Sequence, residues 1–487
     1  MRDVSTARDP RIVVIGAGVA GIATAVTLQR AGFHDVTLLE KGADVGGVWH
    51  WNRYPGLTCD VPSQLYQFSF APKPDWTGVF APGEEIQAYL REVVVGFGLT
   101  DRLRLNTEVV SAVFTGSTWQ VGTADGSQLE ADFVIAATGV LHHPFTPQLP
   151  GLDSFDGDVV HTARWDDTIQ TRGRRIAVIG NGSTGVQIVS ALQADAAHVT
   201  HFVRTPQWVI WAPMGLMQPR AVSALLRRTP SVHRRLYSGL LWGSGILADI
   251  TTRPSWRRRL AQGYARWCLR VQVRDRALRR RLTPTYEPLC KRQVVSSSYY
   301  RAVRSPNAEV ITSAIERITP SGIRTADGRD VEADLLILAT GFRAHDYMRP
   351  MTLRGRDGLD IDDAWAKGPR AYRMTAIPGF PNFFTVLGPN SPTGSISLQF
   401  SAELTATYIV HWLRRFRDGE LDTVEVTEQA TTKFNDDVAA ALGPTVWNTG
   451  CNSWYLTDEG NVDLWPYDRK TMSTMLSEPD DRDFHVA

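Results

Sequence analysis

The sequence predicts an α/β fold with two βαβ units and an inserted helical subdomain. The prediction rests on two segments that share one order of features: an apolar, β-branched run, a glycine-rich turn, a helical stretch and a second apolar run. The first segment opens at residues 12–15 and the second at residues 176–179. At 487 residues, the chain is long enough for two or three domains, each with its own apolar core.

Both glycine-rich turns have the spacing G-x-G-x-x-G. The glycines are Gly16, Gly18 and Gly21 in the first turn and Gly180, Gly182 and Gly185 in the second. In a dinucleotide-binding turn, the first glycine permits the tight bend, the second lets the backbone approach a pyrophosphate, and the third lets helix and strand pack closely. The N-terminus of the following helix attracts phosphate. The two units are therefore predicted to be Rossmann-like dinucleotide-binding domains.

The residue that ends the second apolar run differs in charge between the two units. Glu40 lies 19 residues beyond Gly21, and Arg204 lies 19 residues beyond Gly185. An acid at this position accepts hydrogen bonds from ribose hydroxyls, whereas a base pairs with a 2′-phosphate. The first unit is therefore predicted to bind FAD and the second NADPH, with Lys291 as a candidate second cation beside the phosphate.

Composition and charge favour an ordinary folded enzyme and do not indicate nucleic acid as a partner. Apolar residues make up 43% of the chain, charged residues make up 21%, and the formal charge is +1. The first apolar run, at 12–15, is far too short for a signal-peptide core or a membrane span. We therefore expect a cytoplasmic protein without a transmembrane segment.

The cysteines are few and far apart. Cys59, Cys268, Cys290 and Cys451 form no C-x-x-C pair and have no metal-ligand spacing. Neither a disulfide framework nor a metal site is indicated, and we expect reduced thiols. A flavin disulfide reductase is disfavoured as well, because it needs a pair of redox-active cysteines.

Shifts in composition divide the chain into six expected segments. The FAD-binding domain takes 1–142 and, with the C-terminal segment, 346–487; a linker takes 143–166; the NADPH-binding domain takes 167–213 and 286–345; a helical subdomain takes 214–285. The linker is rich in proline, and the helical subdomain combines helix-forming residues with many arginines. Further strands are expected at 310–317, 322–326, 335–341 and 382–388, and a helix is expected at 401–415.

Two longer motifs identify a family. Residues 46–60, GGVWHWNRYPGLTCD, match [A/G]-G-x-W-x4-[F/Y]-P-[G/M]-x3-D. Residues 155–166 match F-x-G-x-x-x-H-x-x-x-W-[P/D] at Phe155, Gly157, His161, Trp165 and Asp166. The chain thereby resembles the Baeyer-Villiger monooxygenases, a branch of the flavin-dependent monooxygenases that use FAD and NADPH. The resemblance covers nearly the whole chain and is weakest in the helical subdomain and the C-terminal tail.

The resemblance implies a reaction and two catalytic residues. Reduced flavin and dioxygen would give a C4a-peroxyflavin, which attacks a ketone and inserts one oxygen atom to give an ester or lactone. Arg292 matches the family's active-site arginine and would stabilise negative charge. Asp60 matches the acid that faces this arginine and would hold it in place. His161 and Trp165 would pack and set the hinge between the two units, or would coordinate domain movement with cofactor binding.

The remaining candidate residues follow the glycine turns and the fingerprint motifs. The candidate cofactor-binding residues are Gly16, Gly18, Gly21, Glu40, Gly47, Trp49, Thr138, Gly139, Gly180, Gly182, Ser183, Thr184, Gly185, Gln187, Arg204, Thr205, Lys291 and Asn390. Trp447, Trp454 and Tyr455 are candidates for the wall of a substrate pocket.

Two alternatives remain at the level of sequence. An N- or S-oxygenating flavin monooxygenase shares the glycine motifs, although its version of the second motif usually lacks the ending seen at Trp165-Asp166. The arginine-rich helical subdomain is also compatible with a membrane-associated or partner-binding flavoprotein. The identity of the substrate and the oligomeric state do not follow from the sequence.

Overall fold

The computed structural model describes residues 8–392 and 396–487. The strands are β1 (Ile12–Ile15), β2 (Val36–Leu39), β3 (Leu103–Arg104), β4 (Val109–Phe114), β5 (Trp119–Thr123), β6 (Gln128–Ala131), β7 (Phe133–Ala136), β8 (Asp158–His161), β9 (Arg175–Ile179), β10 (His198–Phe202), β11 (Val209–Ile210), β12 (Val294–Val295), β13 (Ala308–Ile311), β14 (Ile315–Thr319), β15 (Gly322–Thr325), β16 (Asp330–Glu332), β17 (Leu335–Leu338), β18 (Thr352–Arg354), β19 (Phe383–Thr385), β20 (Val424–Val426) and β21 (Phe484–Val486). The helices are α1 (Val19–Arg30), α2 (Val48–Trp51), α3 (Gly83–Gly96), α4 (Ser183–Leu192), α5 (Arg220–Arg228), α6 (Pro230–Thr252), α7 (Trp256–Gln272), α8 (Arg276–Arg281), α9 (Tyr299–Ala302), α10 (Ile361–Ala364), α11 (Leu398–Arg417), α12 (Glu428–Leu442) and α13 (Arg469–Met475). The N-terminal stretch at 1–7 lies outside the described residues.

The first glycine turn lies at the centre of a parallel sheet. Its strand order is β19-β7-β1-β2-β3, and all four pairings are parallel. β1 is buried along its whole length, as expected for a strand that is covered on both faces of its sheet. Helices α1 and α11 contribute to the apolar core on one face of the sheet.

The second glycine turn lies in a sheet of the same kind. The strand order is β13-β10-β9-β17-β8, again with only parallel pairings. Helix α4 follows the turn, and its apolar side packs into a separate core with residues of β9 and β17. The predicted α/β class with two Rossmann-like units is confirmed.

A small antiparallel layer covers the other face of each parallel sheet. Antiparallel strands β4, β5 and β6 form it in the first unit, and β18 pairs in parallel with β4 at its edge. Strands β14, β15 and β16 form it in the second unit. Apolar residues of each layer share a core with the sheet that it covers. The expected strand at 310–317 is therefore two strands in different sheets, because the chain leaves β13 and turns into β14.

The helical subdomain is an insertion in the second unit. Helices α5 to α8 lie between β11 and β12, and these two strands pair in parallel. The chain therefore leaves and re-enters the unit at neighbouring points, and α7 buries Ala265 and Leu269 in the core of that unit. Among the described residues, no helix has the length and apolar character needed to span a bilayer.

Candidate active site

A single large cavity joins the two glycine turns. Its volume is about 1600 Å³, and its wall includes both turns and the ends of the strands that precede them. Pockets for one small molecule usually measure about 300–1,000 Å³. The cavity therefore has room for more than one ligand.

Both turns have the backbone geometry that their sequence predicts. Gly16 and Gly180 have φ angles of +102° and +106°, in the left-handed region that residues with a side chain disfavour. A Cβ atom on Gly21 would overlap the carbonyl oxygen of Gly16, and one on Gly185 would overlap that of Gly180. The third glycine of each motif therefore lets its helix pack directly against the turn.

Glu40 is a buried acid beside the first turn. Its side chain lines the cavity, and its two oxygens accept backbone N–H groups of Ala17 and Gly42, each at 2.8 Å. Each carboxylate oxygen has a second lone pair. Glu40 is thus held in position and can still accept a hydrogen bond from a ribose hydroxyl.

Two cations converge beside the second turn. Arg204 and Lys291 both line the cavity, and neither forms an ion pair within the part of the chain that the structure describes. Burial, with a smaller contribution from the charge of Arg204, lowers the pKa of Lys291. The Lys291 ammonium also lies 4.7 Å from the ring centroid of Tyr286. Two neighbouring positive charges without a carboxylate suit a bound phosphate.

Arg292 and Asp60 meet on the cavity wall, although 232 positions separate them in the chain. The guanidinium donates from Nη2 to both carboxylate oxygens, at 2.9 and 3.0 Å, and from Nε to Oδ2 at 3.2 Å. The side chain of Arg292 remains 41% exposed, which leaves part of it open to the cavity. The Asp60 carboxylate raises the pKa of Arg292, so this cation persists throughout the working pH range.

The first fingerprint motif docks the first unit onto helix α4 of the second. The Tyr54 hydroxyl donates to Gln187 Oε1 at 2.9 Å, and Gln187 Nε2 donates to the carbonyl oxygen of Thr58 at 2.8 Å. A Cβ on Gly56 would come within 2.8 Å of the Ala191 methyl group. The motif therefore places Asp60, at its end, where two units touch.

The second fingerprint motif forms the edge of the second sheet. Residues of β8 pair with β17, so this part of the expected linker is a strand. Gly157 leaves no room for a Cβ between the Phe155 ring and the backbone at Asp334. His161 Nδ1 accepts the Ala163 N–H at 3.1 Å, and burial lowers the pKa of the imidazole.

The same motif also reaches the first unit and the core of the second. The guanidinium of Arg164 lies 5.0 Å from the Trp51 ring of α2. Trp165 packs against the core of the second unit, and Asp166 accepts the Thr168 N–H at 2.8 Å. No fixed residue of this motif lines the cavity within the described ranges.

Most of the predicted cofactor-binding residues lie on the cavity wall. They are Gly16, Gly18, Glu40, Gly47, Trp49, Thr138, Gly139, Gly180, Gly182, Ser183, Thr184, Gln187, Arg204, Thr205 and Lys291. Gly21 and Gly185 lie behind the turns. Asn390 is not on the wall: its backbone N–H donates to Asp463 at 2.5 Å, and its neighbour Ser391 lines the cavity instead.

The candidate pocket residues of the tail reach the same cavity. Trp447, Trp454 and Tyr455 line it, as does helix α6, which contributes Gly239, Leu240, Gly243, Ser244, Leu247 and Thr251. Burial raises the pKa of Tyr455 to about 12, so its hydroxyl stays neutral. The sequence did not predict that these α6 residues line a pocket, because their glycines indicate only weak helix formers.

Three histidines near the glycine turns or the cavity were also not predicted from the sequence. His142 and His143 line the cavity with ring centroids 3.8 Å apart, and burial lowers the pKa of His142 to about 3. His201 lies beneath the second turn, with Nε2 2.9 Å from the Gly180 carbonyl oxygen and Nδ1 3.1 Å from the Tyr299 hydroxyl. The position of His142 and His143 just after Thr138-Gly139 could have indicated that they lie near the cofactor site. His201 lies within a strand, and its sequence context gives no such indication.

The expectation of reduced thiols was wrong for two cysteines. Cys290 and Cys451 form a disulfide across a sequence separation of 161, with Cα atoms 6.1 Å apart. Cys59 and Cys268 are free and buried. The spacing of cysteines reveals only pairs close in sequence, and this pair is brought together by the fold. The bond ties the chain just before Arg292 to the tail that carries Trp454.

Comparison with known proteins identifies the family. A family model described as pyridine nucleotide-disulphide oxidoreductase matches residues 13–227. A Mycobacterium tuberculosis protein named as an uncharacterized monooxygenase is 47% identical over 97% of this chain and 95% of its own length. A Baeyer-Villiger monooxygenase of Streptomyces coelicolor is 38% identical over 96% of this chain and 92% of its own. The chain belongs to the Baeyer-Villiger monooxygenase family.

Solved structures agree with this family over the whole fold. Cyclohexanone monooxygenase from Rhodococcus sp. Phi1 bound to NADP⁺ superposes with a TM-score of 0.88 and 29% identity, over 98% of this chain and 99% of that one. OTEMO in complex with FAD and NADP gives 0.88 and 26%, over 99% and 100%. The resemblance to Baeyer-Villiger monooxygenases that the two fingerprint motifs indicated is confirmed.

Proposed function

We propose that this protein is an FAD- and NADPH-dependent monooxygenase that inserts one oxygen atom of dioxygen next to a ketone carbonyl, giving an ester or lactone. The observation that carries the proposal is the Arg292–Asp60 pair, which places a permanent cation on the wall of the cavity that joins two dinucleotide-binding turns. Membership of the Baeyer-Villiger family supports the same assignment.

The residues on the cavity wall fit the two cofactors. The anchored carboxylate of Glu40 suits the ribose of FAD. The cations Arg204 and Lys291, which form no ion pair with the described residues, suit the 2′-phosphate of NADPH. At Gly182, a Cβ would meet nothing within 4 Å, which leaves space at the turn for a pyrophosphate. We assign the first sheet and its antiparallel layer to FAD and the second sheet to NADPH.

Arg292 would stabilise negative charge that arises in the cavity during the reaction. The bound cofactors supply the hydride and the activation of dioxygen, and the protein must stabilise the anions that arise during oxygen transfer. Asp60 engages Nε and Nη2 of Arg292, and Nη1 makes no hydrogen bond within the described part of the chain. Nη1 is thus available to an oxyanion in the cavity, and Asp60 keeps the guanidinium from turning away.

Replacement of Arg292 tests the proposal. We expect Arg292→Ala to retain FAD and to oxidise NADPH while forming hydrogen peroxide in place of ester, with ester formation reduced by at least about a hundredfold. The measurements are product mass spectrometry with a panel of ketones and peroxide titration. The matched control is Arg324→Ala, which removes another arginine paired with an aspartate, Asp330, on a hairpin away from the cavity.

Two outcomes would contradict the proposal. Ester formation at the normal rate by Arg292→Ala would remove this residue from the mechanism. Oxidation of sulfides or amines by the unmodified enzyme, without ester from any ketone, would instead support the N- or S-oxygenating alternative.

A further inference from the structure

An apolar stripe runs along the outer side of helix α7. Its members are Trp256, Leu260, Tyr264, Trp267 and Val271, separated by four, four, three and four residues. At about 3.6 residues per turn, these positions cover only about 80° of the helix circumference. Each member is at least 40% exposed, and Leu260 reaches 63%. A row of exposed large apolar side chains on one helix side is typical of a surface that binds a protein or a membrane.

The helix is anchored by its opposite side. Ala265, Cys268 and Leu269 are buried, and Ala265 and Leu269 belong to the core of the second unit. The stripe is therefore held on a rigid element. Trp211 extends it, because its carbonyl oxygen accepts the Tyr264 hydroxyl at 3.0 Å and its own side chain is 44% exposed.

Arginines border the stripe on both sides. By helical position, Arg257 lies along one border and Arg259, Arg266 and Arg270 lie along the other. Arg257, Arg259 and Arg270 form no ion pair within the described residues, whereas Arg266 pairs with Glu287. Exposed arginines that are free of carboxylates can pair with the headgroups of an anionic surface that covers the stripe.

The charge of the helical subdomain is strongly biased. Residues 220–281 hold sixteen arginines and two aspartates, although the whole chain has a formal charge of only +1. A helix with an arginine-rich polar border and a tryptophan- and leucine-containing apolar face has the composition of one that lies in a membrane interface. Tryptophan and tyrosine suit that position because each has an apolar body and a polar tip.

We propose that α7 docks this enzyme on an anionic lipid bilayer, with the stripe in the interface and the bordering arginines on the lipid headgroups. Helix α6 packs beside α7 and carries a further exposed tryptophan, Trp242, while other residues of α6, such as Gly243 and Leu247, line the cavity. The docked surface is thus one helix away from the candidate active site. This inference does not depend on the proposed reaction.

Vesicle co-sedimentation of the FAD-loaded enzyme tests the docking. We expect binding to vesicles of phosphatidylcholine mixed with phosphatidylglycerol, weak binding to phosphatidylcholine alone, and loss of binding as salt increases. Substitution of Trp256, Leu260 and Trp267 by serine should weaken binding at least about tenfold. Substitution of Arg257, Arg259 and Arg270 by glutamine should weaken it about fivefold for each arginine removed.

The control separates this surface from exposed apolar residues in general. Val95→Ser removes an apolar side chain that is 70% exposed on α3 and should leave vesicle binding unchanged. Flavin absorbance and far-UV circular dichroism verify the fold of each variant. Equal binding to both kinds of vesicle, or normal binding by either triple variant, would overturn the proposal. Sedimentation of the free enzyme as a dimer that the serine variant converts to a monomer, without any vesicle binding, would assign the stripe to a second copy of the chain.

Discussion

At the scale of single residues, one position in a repeated motif separates the two cofactor assignments. Glu40 and Arg204 occupy equivalent places after β2 and β10, and the structure surrounds each with groups that suit its charge. Backbone N–H groups hold Glu40, whereas a second cation, Lys291, lies near Arg204. The electrostatic contrast, rather than the shape of the turn, distinguishes the two sites.

Replacement of Arg204 should change cofactor preference. We expect Arg204→Ala to raise the KM for NADPH by about tenfold to a hundredfold, because a charge-assisted contact to the 2′-phosphate contributes about 1.5–3 kcal/mol. The KM for NADH, which lacks this phosphate, serves as the internal control and should change little. Steady-state kinetics with both cofactors measures the effect, and an equal rise for both would show that Arg204 does not contact the phosphate.

A buried histidine should make the stability of the protein depend on pH. Burial lowers the pKa of His201 from 6.5 to about 4 in the folded state. Between these values the unfolded chain binds a proton that the folded chain excludes, so stability falls as pH falls through this window, by about 1.4 kcal/mol per pH unit at most. Above pH 6.5 both states are neutral and the contribution is constant.

His201→Gln tests this pH dependence. Glutamine can still donate to the Gly180 carbonyl oxygen and accept the Tyr299 hydroxyl, but it does not titrate. We expect the apparent Tm of the variant to fall less steeply than that of the unmodified protein between pH 6.5 and pH 4. Parallel curves in thermal unfolding would show that His201 does not contribute.

At the scale of elements, the two fingerprint motifs act by close packing between segments. The loop after α2 touches α4 through Gly56, and the second motif adds strand β8 to the edge of the second sheet. Neither effect can be seen in a single element, because each depends on a partner from elsewhere in the chain. The first motif combines this packing with a binding surface, because Trp49 and Asp60 line the cavity, whereas no fixed residue of the second motif does so among the described residues.

Gly56→Ala should destabilise the protein more than a comparable glycine substitution. Gly56 has a φ of +84° and lies against Ala191, while Gly328 has a φ of +83° and would meet nothing within 4 Å. Both variants incur backbone strain of about 1–2 kcal/mol, and Gly56→Ala adds overpacking of about 1–3 kcal/mol. Thermal unfolding of both variants measures the difference. Equal shifts in Tm would mean that the loop after α2 can move away from α4 without a loss of stability.

At the scale of the whole molecule, distant parts of the chain converge on one cavity. The wall combines both glycine turns, α6 of the helical subdomain and the tail around Trp454. The disulfide between Cys290 and Cys451 closes this assembly by joining the segment before Arg292 to the tail. The C-terminal segment is therefore part of the candidate active site.

The disulfide predicts the number of titratable thiols. We expect two free thiols per denatured chain without reductant, from Cys59 and Cys268, and four after reduction. Removal of the bond in Cys451→Ser should cost about 2–5 kcal/mol, seen as a lower Tm, because the cross-link closes a long loop in the unfolded chain. Four thiols without reductant would contradict the pairing.

The sequence by itself determined the α/β class, the two dinucleotide-binding turns and their opposite charges. These features are local: glycine spacing controls the backbone of a turn, and periodic apolar runs control strands and helices. The resemblance of its motifs also identified Arg292 and Asp60 as partners, but only the fold brings them into contact across 232 positions. The tertiary structure alone decided the disulfide, the division of 310–317 into two strands, the burial of His201 and the exposure of the α7 stripe. Such contacts depend on the packing of elements that are far apart in sequence, and no local pattern encodes that packing.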